Sequence, residues 1–358
     1  MRDRHAAAPI LLALLATAAT GGPSAAAETA QWSAGPTTLR GSAKGYFVAT
    51  AGAERPISLP AGVEVEELFA LRRSAFLSAR APRPASGEAQ RDLFLGLLDD
   101  QGLHVLPTPA SNDAAERVRE NAVPLASSAG DLRALAWLEG ADRQSYAVRF
   151  ASWDGLRWSA PETVASTAPG SQLALSGATL ADGSHLLVWS RFDGRDDEVV
   201  ASRFVDGEWS PAQPLAADNG VPDVTPTVVA VAGGALAAWS RYDGHDYRVV
   251  ISRFNGREWS APSWAGPAGS TYPALQRAER PDRSAAGAVT RDSGAAAWLT
   301  YASAADRGWT IVELDAEGRS LRRGKAADAP GARPALAMQP AGVLRLRWVE
   351  IERDVELQ

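Results

Sequence analysis

The chain of 358 residues has no cysteine. It can therefore form no disulfide, hold no thiolate metal site and carry no lipid on a cysteine. Histidine is scarce: four are present, and beyond residue 27 only His104, His185 and His245 remain. No two of these stand at zinc-ligand spacing, so no metal site is expected. A basic excess is missing as well. The formal net charge is −6, which excludes the positive face needed for a nucleic-acid backbone or an anionic lipid surface. Long apolar runs are lacking too. The stretch Pro9–Thr20 is shorter than the roughly 20 residues of a membrane span.

That first segment instead reads as a signal peptide over residues 1–27. Arg2 and Arg4 give a positive start, the short apolar stretch follows, and Ala25-Ala26-Ala27 offers small residues for cleavage. Its removal takes away two arginines and one aspartate and moves the net charge to −7. The expected location is the periplasm or the outside of the cell, with no membrane insertion after cleavage. Residues 28–358 then form one domain held together by its core alone.

The dominant internal feature is a repeated phrase. Residues 188–210 read VWSRFDGRDDEVVASRFVDGEWS and residues 238–260 read AWSRYDGHDYRVVISRFNGREWS. A period near 50 residues with strand-like content marks a repeat of four-stranded antiparallel units, a β-propeller. Each unit has an apolar first strand, a glycine turn, a second strand ending in tryptophan, a valine-rich third strand, and a turn into a fourth strand such as Trp209-Ser210-Pro211. Aligned on Leu77, Trp137, Trp189, Trp239, Trp298 and Trp348, the chain counts six units. The last runs out of residues after about three strands, and an open edge invites aggregation. A segment within residues 31–60, with Gln31-Trp32-Ser33-Ala34 or Arg55–Leu59 as the strand, is expected to complete that final blade. A seven-bladed reading, with residues 41–64 forming most of a blade, is the alternative.

At the third turn of each unit the chain resembles the sialidase-like propellers that carry bacterial neuraminidase repeats. Their Asp-box is Ser-x-Asp-x-Gly-x-x-Trp. Ser252, Gly256 and Trp259 keep that spacing, Ser202 and Trp209 keep part of it, and Gly155 and Trp158 keep another part. Phe254, Phe204 and Trp153 replace the aspartate, which suggests apolar packing in place of a hydrogen-bonded turn. The resemblance implies a propeller over most of residues 61–358. For activity it implies an arginine cluster, a tyrosine nucleophile with a glutamate, and an acid aspartate. The Arg-Ile-Pro opening motif of that family is absent, with Arg55-Pro56-Ile57 in the wrong order. Arg191, Arg241, Arg203 and Arg253 recur with the repeat, whereas a catalytic set is asymmetric. They are expected to bridge strands or to pair with Asp193 and Asp243. Nothing places a glutamate beside Tyr272 or Tyr301. No catalytic residue, cofactor or metal is therefore assigned.

Function is expected on the loops between second and third strands, which share one face of a propeller. The candidate binding residues there are Arg191, Asp193, Asp196, Arg241, Tyr242, Asp243, His245 and Tyr301. The leading expectation is an exported, non-catalytic propeller that binds a protein partner or a glycan. A diverged glycoside hydrolase and an accessory subunit of a cell-envelope complex are the alternatives.

Overall fold

Valine, alanine and tryptophan alternate with polar residues between glycine turns, and every such segment becomes a strand. The computed structural model describes residues 30–34, 37–42, 45–50, 53–82, 91–110, 118–141, 144–165, 170–217, 220–278, 294–329, 334–338, 344–347, 352–355 and 357. Residues 1–27, expected from the sequence to be a signal peptide, the Trp348 repeat position and most of the Ala81–Arg91 and Ser111–Asn121 loops lie outside these residues. So do parts of the Glu139–Ser145 and Ile351–Arg353 loops.

The described residues form seven antiparallel sheets, each a meander in sequence order, with no helix. Sheets 1 to 6 span residues 30–57, 64–106, 118–165, 172–214, 223–264 and 270–326, and each has four strands or more. Sheet 7 spans 335–355 and has three. Each of the six junctions between successive sheets is filled by apolar side chains. Leu39 and Val48 of sheet 1 pack on Leu68 and Leu77 of sheet 2. Phe76 and Leu95 of sheet 2 pack on Leu135 and Trp137 of sheet 3. The pattern repeats at later junctions and ends with Trp309 and Ile311 of sheet 6 against Val355. The core is thus a series of slabs between sheets, as nearest-neighbour repeats require.

Two expectations change at this level. Residues 30–57 are not a strand added to the last unit. Ala30–Ala34 pairs with Thr37–Ser42, which pairs with Gly45–Thr50 and then Ala53–Ile57. Local hairpins close short loops at little entropic cost and reach the same apolar burial through Leu39 and Val48, so local pairing wins over pairing with the distant C-terminus. The strand Ala30–Ala34 approaches both Glu64–Ala70 and Ala335–Met338.

The repeat alignment also shifts in sheet 6. Trp137, Trp189 and Trp239 are fully buried, and each sits opposite a bulge in its first strand. The residue opposite the corresponding bulge of sheet 6 is Tyr301. Trp298 points to the other side of its strand, toward Trp309 and Val355. Strand parity places residues three apart on opposite faces, so the tryptophan spacing misaligned that unit. Burial of each large ring contributes roughly 4–6 kcal/mol of transfer free energy.

The bulges recur with a left-handed residue. Asn121, Ala174, Thr225 and Tyr272 have φ between 52° and 55°. Side chains beside these bulges tie each first strand to the next sheet's first strand. The Asn121 amide donates to Glu66 Oε2 at 3.3 Å, and the Leu175 amide donates to Asn121 Oδ1 at 2.8 Å. The Val228 amide donates to Ser176 Oγ at 3.1 Å, and the Leu275 amide to Thr227 Oγ1 at 3.2 Å. Buried amides that no ladder can reach are satisfied this way.

Candidate ligand-binding face

The loops between second and third strands are tight turns locked by their own aspartates. Asp193 Oδ1 accepts from the Arg195 and Asp196 amides at 2.8 and 3.3 Å. Asp243 Oδ1 accepts from the His245 and Asp246 amides, both at 2.9 Å. These amide bonds are the main reason both carboxyls lie below the usual range. Asp-Gly steps suit such turns because glycine takes the positive φ, 97° at Gly194 and 95° at Gly244.

The eight candidate residues separate into a rim and a buried layer. On the rim, His245 is exposed, and Tyr242 faces Tyr247 with ring centroids 5.3 Å apart. Asp243 also pairs with Arg248 at 2.9 Å. Below the rim, Arg241 grips Asp223 with two bonds of 2.8 and 2.6 Å. Of the two expectations for it, it bridges neighbouring strands and does not pair with Asp243, because Asp223 is its direct cross-strand neighbour. Asp223 is 1% exposed. The Asp223 hydrogen bonds raise the Arg241 guanidinium further, against the pull of burial. Arg191 lies opposite Gln172 and Glu198 on the strand His185–Phe192. Asp196 is buried, and burial together with Asp196 and Asp193 pushes its neighbour Asp197 up to about 6.

Tyr301 leaves the candidate set. It is fully buried among Leu236, Leu299 and Val312, and its hydroxyl donates to the Ala265 carbonyl at 3.4 Å. Burial raises its pKa. No ligand on the loop rim can touch a ring enclosed on all sides by the inter-sheet slab.

The repeat arginines on third strands bridge sheets. Arg203 donates to the Gly256 carbonyl at 2.9 Å and to Ser184 Oγ at 2.9 Å, and it pairs with Asp182. Arg253 donates to the Ala316 carbonyl at 2.9 Å. The third turns keep both features of a fastener. Phe254 and Trp259 rings lie 5.2 Å apart, as do Phe204 and Trp209. Ser252 Oγ donates to the Ser260 carbonyl at 2.7 Å, and Asn255 Oδ1 accepts two turn amides. After Phe254 and Trp153 apolar packing is added to a hydrogen-bonded turn, because Asn255 and Asp154 supply the acceptor; after Phe204 the next residue is Val205 and packing replaces it.

One charged cluster, joining the first strands of sheets 2 and 3 to the second and third strands of sheet 2, went unnoticed in the sequence. Arg80, 9% exposed, meets Glu64 at 3.3 Å, Glu66 at 3.2 Å and Glu120 at 3.2 Å. Arg91 meets Glu64 at 2.8 Å, and Arg119 meets Asp92 at 2.6 Å. One guanidinium cannot neutralise three carboxylates. Burial therefore outweighs its attraction at Glu66, and with Glu120 adding repulsion the carboxyl rises to about 7. The signal was the run Glu64-Val65-Glu66-Glu67 at the repeat position that Arg119-Glu120 occupies one unit later. Among the described residues, no group of three acids or histidines could hold a metal ion.

Comparison with known proteins finds no matching family model and no matching curated protein. Solved structures do match. A prolyl endopeptidase shares 13% identity at a TM-score of 0.51 over 88% of this chain, which spans 44% of the endopeptidase. A polysaccharide lyase of family PL25, an ulvan lyase, shares 9% identity at 0.51, covering 84% of this chain and 76% of the lyase. The same lyase bound to -[GlcA(1-4)Rha3S]- matches at 0.50 with 9% identity, over 81% and 73% of the two chains. These likenesses show the fold: the protein is an all-β chain of propeller type.

Proposed function

We propose that this protein is an exported, seven-bladed β-propeller that binds a protein partner or glycan through its second-to-third-strand loops and performs no chemistry there. Seven sheets in sequence, with Ala30–Ala34 approaching both its successor sheet and the last one, support a closed ring. The observation that carries the binding reading is the pair of adjacent, rigid loops 193–196 and 243–246. Their backbones are locked by Asp193 and Asp243, and they hold His245 and the Tyr242–Tyr247 ring pair at the rim. Side chains held in place before binding lose little entropy on complex formation. Arg241 and Arg80, on strands that lead into loops of that face, are held by internal carboxylates and are not free to clamp a substrate carboxylate, which favours binding over sialidase-like chemistry.

The test is affinity capture of envelope extract and a glycan array, run with the full chain and with a Tyr242→Ala/His245→Ala variant. A ligand retained by the wild type and lost by the folded variant supports the reading. Turnover of a glycoside by the purified chain, undiminished in that variant, overturns it.

A further inference from the structure

On the opposite face, between sheets 2 and 3, an open groove of about 350 Å³ runs between the turn Leu71–Ser74 and the turns 130–133 and 153–155. It differs from the junctions after sheets 4 and 5 in one residue. Arg203 of sheet 4 and Arg253 of sheet 5 each cross the gap to a turn carbonyl of the following sheet, Gly256 and Ala316. Cross-strand register equates Arg203 with Leu97: Leu186 pairs with Arg203 and Phe76 with Leu97, one residue past the turn in each sheet. Sheet 2, like sheet 3 with Ser152 at that place, thus lacks the guanidinium that occupies the gap after sheets 4 and 5. Leu97 lines the groove, and the turn carrying Gly155, the counterpart of Gly256, forms its far wall.

What remains in the groove is charged in an unexpected sense. Arg72, Arg73 and Arg133 line it in a chain of net charge −6. Among the described residues none of their guanidinium groups has an ion-pair or hydrogen-bond partner. Arg80, Arg119, Arg203 and Arg241, by contrast, are all paired. Trp153 supplies an aromatic wall, braced by Trp158 at 4.5 Å, and Asp131 is an exposed acceptor at the edge. The walls are fixed across the junction. The Arg72 amide donates to the Gly130 carbonyl at 2.9 Å and Trp158 Nε1 to the Pro107 carbonyl at 2.7 Å. Gly130 has φ 82°, and a Cβ there would lie 2.9 Å from the Arg72 nitrogen, so the close approach depends on glycine.

We infer that this groove is a binding site for a carboxylate-bearing sugar of one or two units. Planar guanidinium forks match a carboxylate, the indole offers an apolar face to a pyranose ring, and Asp131 accepts from ring hydroxyls. The volume is at the lower end of small-molecule sites, which suits a disaccharide better than a folded partner. An acidic peptide would share the arginines but would make less use of Trp153 and would offer Asp131 no row of ring hydroxyls.

The experiment is isothermal titration calorimetry on the full chain with digalacturonate, its methyl ester, inorganic sulfate and a glutamate-rich peptide. Digalacturonate is expected to bind at least tenfold more tightly than the other three. Arg133→Ala should weaken it at least tenfold. Leu97→Arg, which places there the residue that spans the junctions after sheets 4 and 5, should abolish binding while the melting temperature stays within a few degrees. Equal binding of the ester removes the carboxylate requirement and overturns the proposal. So does tighter binding of sulfate or peptide, or wild-type affinity in Leu97→Arg.

Discussion

Replacing Glu66 by glutamine should stabilise the protein above neutral pH and leave it unchanged in acid. The carboxyl is raised from 4.5 to about 7 by burial, with Glu120 adding to the shift and Arg80 opposing it. A folded-state pKa above the unfolded value contributes stability that is fully present below pH 4.5. That stability is lost as pH rises through 7. At about 1.4 kcal/mol per pH unit the loss at pH 8 is about 3 kcal/mol. Glutamine keeps the shape, can still accept from Ser78 Oγ and the Asn121 amide, and never ionises. Arg80 retains Glu64 and Glu120. For a chain of this length the gain corresponds to about 4 °C in melting temperature. The assay is thermal unfolding of both proteins from pH 4.5 to 8.5. Aspartates with lowered pKa, such as Asp182 and Asp306, destabilise both proteins in acid and cancel in the difference. A difference that stays flat with pH, or a less stable variant at pH 8, would mean that Glu66 is an ordinary ionised partner of Arg80.

Three further outcomes follow from the packing. Trp239→Ala removes a fully buried ring from the slab between sheets 4 and 5 and should cost about 3–5 kcal/mol in chemical denaturation; a loss under 1 kcal/mol would contradict the slab description. Arg241→Ala leaves Asp223 buried without its bidentate partner and should cost about 3–5 kcal/mol, whereas Arg241→Met with Asp223→Leu should be near neutral; equal losses in both would refute the ion-pair account. Deleting residues 28–57 uncovers Leu68 and Leu77, now covered by Leu39 and Val48, and should give aggregates on size-exclusion chromatography; a monomeric, folded truncation would show that sheet 1 is dispensable.

Much of the architecture was legible in the chain before any tertiary information. The period near 50 residues, the Asp-Gly steps at 193 and 243 and the buried Trp137, Trp189 and Trp239 are local features. Turn chemistry and strand parity act within a few residues, so a sequence displays them. The partner of residues 30–57 and the equivalence of Tyr301 rather than Trp298 depend on which strands lie opposite one another. That is settled by competition between distant pairings, which spacing does not encode.

The sequence by itself determined an all-β repeat protein without disulfides, with tight Asp-Gly turns between its second and third strands. Only the tertiary structure decided which charges meet. Arg80 collects three carboxylates from two sheets, Arg241 turns to Asp223, and Arg72, Arg73 and Arg133, without ion-pair partners among the described residues, line the gap at Leu97. Coulomb energy and desolvation depend on distances across the space between sheets, and those distances exist only after the slabs have packed.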